Sequence, residues 1–119
     1  MIKLIEISGD SCASCHALLP GLNAVANENG IALERIDIET SPDAVEKYGV
    51  ERIPTIVLAD GEKIIAKCSG FQPEEILSLW VEAKLEEYSK NKLTTVNISM
   101  LNRLTTVLQY INIYTIKQD

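Results

Sequence analysis

Cys12 and Cys15 are the residues of this chain best placed to do chemistry. They lie one helical turn apart, directly after the apolar run Ile2 to Ile7. At that spacing two sulfurs meet in a disulfide or share one metal ion. His16 follows at once, which also completes the C-x-x-C-H pattern of c-type haem attachment. Cys12 falls where a helix N-terminus would favour an anion. A thiolate there forms more readily and is a usable nucleophile near neutral pH. Cys15, one turn further in, is less exposed and suited to resolve a mixed disulfide. The pair therefore supports a two-step exchange: Cys12 attacks a substrate disulfide, and Cys15 releases the reduced substrate.

Three further residues carry chemistry only in context. Protonated His16 would stabilise a nearby thiolate; the plainer reading is an exposed helix residue that titrates near neutrality anyway. Pro54, within Ile53-Pro54-Thr55, opens a β-branched run and cannot donate to a strand ladder. Both its cis and trans forms stand open from composition. Cys68 falls in the return strand Lys63 to Ser69 and reads as a small buried hydrophobe before it reads as a regulatory thiol.

The elements that must hold these residues follow from pattern. Ile2 to Ser8 is a strand buried on both faces, ended by Gly9-Asp10. Ser11 is placed to cap a helix over about 15–29, whose apolar side is Ala17, Leu18, Leu22, Val25 and Ala26. Pro20 should kink it. Ile31 to Ile38 is a second strand. Ser41 and Pro42 suit the N-cap and first position of a short helix ending near Gly49. Thr55 to Ala59 and Lys63 to Ser69 form a hairpin around Asp60-Gly61. Pro73-Glu74-Glu75 opens a last helix running to about Tyr88, with Ile76, Leu77, Leu79, Trp80, Val81 and Leu85 on its apolar side.

The combination resembles the thioredoxin superfamily over about residues 2–88. The resemblance rests on strand, C-x-x-C, helix, strand, helix, then Tyr48-Gly49-Val50-Glu51-Arg52-Ile53-Pro54-Thr55, a return strand and Gly70-Phe71. It implies an α/β, three-layer fold with a central mixed four-stranded sheet, βαβαββα, and a C-terminal extension. It implies a small thiol–disulfide oxidoreductase acting on protein disulfides, supplied by a reductase or other dithiol electron donor. It needs no cofactor beyond a redox-active Cys12–Cys15 disulfide. It further implies a cis Pro54 lying against the two cysteines, with Ile53 offering backbone hydrogen bonds to an extended substrate. Glu6, six residues before Cys12, matches the family's buried acid and would relay a proton to Cys15. A strand-end carboxylate facing water is the equal alternative. The chain departs from the pattern in three ways. The family's first strand and helix are missing, Ser11 stands for its usual tryptophan, and Ala13-Ser14 stands for Gly-Pro. The last two positions influence redox poise, so the direction of electron flow stays open.

Rival functions use the same residues. A haem reading would take His16 and Met100 as axial ligands. A zinc reading has only Cys12, Cys15, His16 and the distant Cys68, where structural zinc wants about four close ligands. A non-catalytic adaptor of the same fold is the stronger rival, although it needs neither thiol.

The 119 residues suggest one domain at 1–89 and an extension at 90–119. Residues 1–89 hold 16 acidic and 7 basic side chains, whereas Lys90, Lys92, Arg103 and Lys117 dominate the extension. A net charge of −6 argues against nucleic-acid partners. No stretch is apolar enough to suggest a membrane helix, and the start does not read as a signal peptide, so the cytoplasm is expected. There disulfides are mostly transient and catalytic. In the extension, Asn91 to Val96 recurs as Asn102 to Val107. An amphipathic helix from about Ser99 to Tyr114, packing on the acidic body or on a second copy as a homodimer contact, is the expected form. A poorly ordered tail is the alternative.

Overall fold

The computed structural model describes residues 1–91. Two compact units divide the chain, Met1–Leu85 and Glu86–Asp119. The first contains β1 (Ile2–Ser8), α1 (Ala13–Glu28), β2 (Ala32–Asp37), α2 (Asp43–Lys47), β3 (Thr55–Asp60) and β4 (Lys63–Ser69). A third helix, α3, opens at residue 74, and the described chain is helical to residue 91. The second unit's described residues, 86–91, belong to that helical run and carry a Lys90–Glu86 ion pair of 3.1 Å. The expected helix at Ser99–Tyr114 and the Asn102–Val107 repeat lie outside the described residues.

The sheet order is β2-β1-β3-β4. β1 is central: it pairs in parallel with β2 and antiparallel with β3. The parallel pair requires a crossover, and α1 supplies it. β3 and β4 form the hairpin at Asp60-Gly61, where Gly61 takes a φ of +61° that other side chains rarely adopt. This is the mixed four-stranded α/β arrangement expected from the resemblance.

The pleat divides the core into two. Leu4, Ile56 and Leu58 meet Leu18, Leu22 and Val25 of α1 and Leu77 and Val81 of α3. Ile5, Ile7, Val57 and Ala59 meet Ala44 and Tyr48 on the opposite side. Strands covered on both faces explain the near-continuous apolar runs of β1 and β3.

Pro20 lies inside α1, which continues to Glu28; the packing of Leu18, Leu22 and Val25 holds the helix together where one backbone donor is missing. The start of α2 differs from expectation. The cap of α2 is Pro42, with no side-chain bond. Ser41 instead offers its carbonyl oxygen to the Ala44 N–H at 3.1 Å.

Leu4 is fully buried where β1 meets α1 and α3. Leu4→Ala should lower the free energy of unfolding by about 3 kcal/mol, from lost transfer energy plus the cavity left behind. Urea unfolding would measure it, and a loss under about 1 kcal/mol would contradict this placement.

Candidate active site

The first wall of the site is the end of β1 and the start of α1. A turn closes where the Cys12 N–H donates to the Gly9 carbonyl at 3.3 Å. Cys12 then takes an extended backbone, φ −97° and ψ 96°, and serves as the N-cap of α1. Its sulfur accepts a hydrogen bond from the Cys15 N–H at 3.1 Å. A sulfur thus stands where a serine or aspartate oxygen usually satisfies the helix's first free donors. Ser11, expected as the cap, is displaced from that role by the residue after it. No acidic side chain occupies the first turn of α1, so the dipole is left to act on Cys12.

Cys12 and Cys15 are joined in a disulfide, with Cα atoms 5.2 Å apart. Cys12 is half-buried and Cys15 fully buried. One sulfur of the bond therefore faces outward and the other into the core. The Ser14 hydroxyl lies 3.5 Å from the Cys12 Sγ.

The second wall is the loop before β3. The Ile53–Pro54 peptide is cis. Because Ile7 pairs with Thr55, Pro54 arrives beside the end of β1 from which the chain turns toward Cys12. The Pro54 carbonyl accepts from the Gly70 N–H at 2.8 Å, tying the end of β4 to the same edge. The Thr55 hydroxyl donates to the Arg52 carbonyl at 2.6 Å and fixes the turn from within. Ile53 packs close over Gly9: a Cβ placed at Gly9 would come within 2.9 Å of the Ile53 Cδ1. Glycine there keeps the two loops in contact.

Glu6 lies on β1, two residues before the strand's end. It shares the α1-covered face of β1 with Leu4 by simple alternation and is 0% exposed. The parallel register sets Arg35 of β2 opposite it, and Arg35 Nε donates to Glu6 Oε1 at 2.8 Å. Glu6 Oε2 is buried with no hydrogen-bond partner among the described residues. Burial pushes the Glu6 carboxyl above its usual range; Arg35, and more weakly the charge of His16, pull against that rise. His16 is exposed on α1 and lines, with Asp10, Arg35 and Asp37, a cavity of about 300 Å³.

The structure thus gathers Cys12, Cys15, Ile53 and Pro54 at one end of the sheet, with Glu6 and His16 toward β2. Arg35 and Gly9 were not singled out from sequence. Arg35 reads as a surface charge on a strand of mixed polarity, and its ion pair appears only once the register is known. Cys68 is a free, half-buried cysteine of β4 rather than a fully enclosed one. Burial alone raises its thiol to about 11, so it is a poor nucleophile at neutral pH. Asp10, Asp37 and Glu39 form the metal-competent cluster among the described residues, and it includes none of the cysteines. Met100 lies outside those residues.

Comparison with known proteins agrees with this geometry. The thioredoxin family model matches residues 1–83. A thioredoxin of Bacillus subtilis is 36% identical over 87 residues, spanning 71% of this chain and 83% of its own. One from Staphylococcus epidermidis is 36% identical over 80 residues, 65% of this chain and 76% of its own. The solved structure of thioredoxin 1 from Thermosipho africanus superposes with a TM-score of 0.63 at 25% identity, covering 73% of this chain and 98% of that one.

The elevated Glu6 fixes a sign. A carboxyl harder to ionise in the fold than in the unfolded chain favours the fold at low pH. That increment is lost as pH rises from about 4.5 through the raised value. Glu6→Gln should therefore raise the urea midpoint at pH 8, with the gain closing as pH falls toward 4. Equal or lower stability of the variant at pH 8 would contradict the cost assigned to this charge.

Proposed function

This chain belongs to the thioredoxin family and is a thiol–disulfide oxidoreductase, and we propose that Cys12 is its nucleophile and Cys15 its resolving thiol. The difference in burial between the two sulfurs carries this assignment: Cys12 is half-buried at a helix cap, and Cys15 is enclosed. In the reduced protein the Cys12 thiolate attacks one sulfur of a substrate disulfide. A Cys12–substrate bond forms, the substrate S–S bond breaks, and the departing sulfur takes a proton. Cys15 then loses its proton and attacks Cys12. The Cys12–Cys15 bond forms and the second substrate thiol leaves, so two electrons have passed from protein to substrate.

Other residues take supporting roles in this reading. Glu6 accepts the Cys15 proton, because a buried carboxyl with a raised pKa and one unbonded oxygen is suited to hold it. Its Arg35 partner keeps it oriented. His16 adds positive charge near the helix start when protonated. Ile53 offers its backbone to an extended substrate, and Pro54 holds that backbone at the site edge, as the family likeness suggests.

The partners that follow are protein disulfides on one side and a reductase or other dithiol donor on the other. The electrons stay on sulfur throughout, so the chemistry calls for no further cofactor. No helix among the described residues is long and apolar enough to cross a membrane; the cytoplasm, where disulfides are mostly transient and catalytic, suits a pair that cycles between dithiol and disulfide. Residues 1–89 act as the catalytic domain and 90–119 as an extension that joins two copies. Unlike charges on the acidic body and the basic extension support that contact.

Insulin reduction by dithiothreitol tests the assignment. Cys12→Ser should fall to the uncatalysed rate. Cys15→Ser should lose turnover yet accumulate a mixed disulfide through Cys12, read by mass spectrometry. A Cys12→Ser protein as active as wild type would contradict it. Truncation after Tyr88 tests the extension: the full chain should elute as a dimer and the truncated one as a monomer, and equal subunit counts would contradict the proposed contact.

A further inference from the structure

We propose that Ser14 is a third member of the redox centre, its hydroxyl donating to the Cys12 thiolate and shifting the Cys12–Cys15 couple toward the oxidising side. The proposal rests on the assignment of Cys12 as nucleophile.

The Ser14 Oγ stands 3.5 Å from the Cys12 Sγ. A sulfur held in a disulfide carries no hydrogen, so in this pair the hydroxyl is the donor. The same sulfur takes a second bond from the Cys15 N–H. When a dithiol donor reduces the couple, the S–S bond breaks and two electrons arrive with one proton. Cys15 is left as a thiol and Cys12 as a thiolate. The acceptor of the Ser14 bond has then gained a full charge, and hydrogen bonds to ionised groups are about twice as strong as neutral ones. Ser14 therefore stabilises the reduced state more than the oxidised state. The Cys12 thiolate gains population, and the couple becomes easier to reduce.

The backbone donor is present whatever side chain follows Cys12, but the hydroxyl is not. Ser14 is exposed on the first turn of α1, with no other hydrogen bond of its side chain on the described surface to account for it. The titratable groups around the helix start are Asp10 in the preceding loop, His16 on α1, Glu6 on β1, and Arg35 and Asp37 on β2. All are untouched by a change at Ser14, so a difference between variants reports the hydroxyl. Alanine is also the better helix former. A purely structural serine would leave the chemistry alone on replacement and give a slightly steadier helix.

The test compares full-length wild type, Ser14→Ala and Ser14→Thr. Each is equilibrated in glutathione buffers at pH 7. Each is also alkylated with iodoacetamide across pH, with the modified cysteine identified by mass spectrometry. Ser14→Ala should move the alkylation midpoint up by about one pH unit and make the couple about three- to tenfold more reducing, or about 15 to 30 mV. Ser14→Thr, which keeps a hydroxyl, should restore both. Unchanged values in Ser14→Ala, with Cys12 still the alkylated residue, would overturn the role of Ser14 alone. A shift that threonine fails to restore would do the same. First alkylation at Cys15 in wild type would overturn the nucleophile assignment, and this proposal with it.

Discussion

β1 is hydrogen-bonded along both edges and covered on both faces, and the site depends on that constraint. Its parallel partner β2 forces a crossover, so the chain must leave the end of β1 and enter α1 at once. Its antiparallel partner β3 starts opposite the same end, at Ile7–Thr55. Two loops of distant sequence, one carrying Cys12 and one carrying Ile53-Pro54, are thereby brought to one edge without either being long. Gly9 lets them approach. A one-residue slip of β3 would turn Ile56 and Leu58 out of the α1-covered core, so the register is held by the packing energy of the whole sheet.

The same strand carries the main energetic conflict in the fold. Glu6 lies in a row that otherwise buries Leu4, and among the described residues only one of its oxygens finds a hydrogen-bond partner. An apolar residue there would leave no charge to desolvate. Arg35 offsets part of the cost, being half in solvent itself. A carboxyl kept at a cost in stability, on the strand that leads into the redox pair, matches the pattern in which local rules break at functional positions.

Much of this was readable in the residues. The runs Ile2–Ser8 and Thr55–Ala59 were legible as strands because both are buried on both faces and largely apolar, and the edge strand Lys63–Ser69 because Asp60-Gly61 marks the turn before it. The Cys12–Cys15 spacing and Pro54 gave the site. What sequence could not show was set by distance in space. Arg35 meets Glu6 across twenty-nine residues of separation. The choice between a buried and a solvated Glu6 depends on what α1 covers. At α1 the N-cap differs from the expected Ser11 because cap rules weigh oxygen acceptors, whereas here a sulfur accepts the bond.

The central claim is that Cys12 and Cys15 form one two-electron couple that trades electrons with external thiols, while Cys68 stands aside. Equilibrating the full chain across a series of reduced and oxidised glutathione, then trapping and counting thiols at each cysteine by mass spectrometry, tests it most directly. Cys12 and Cys15 should change together along a single two-electron curve, with Cys68 a thiol throughout. Cys12 and Cys15 remaining separate thiols across the series, or Cys68 pairing with either of them, would contradict it.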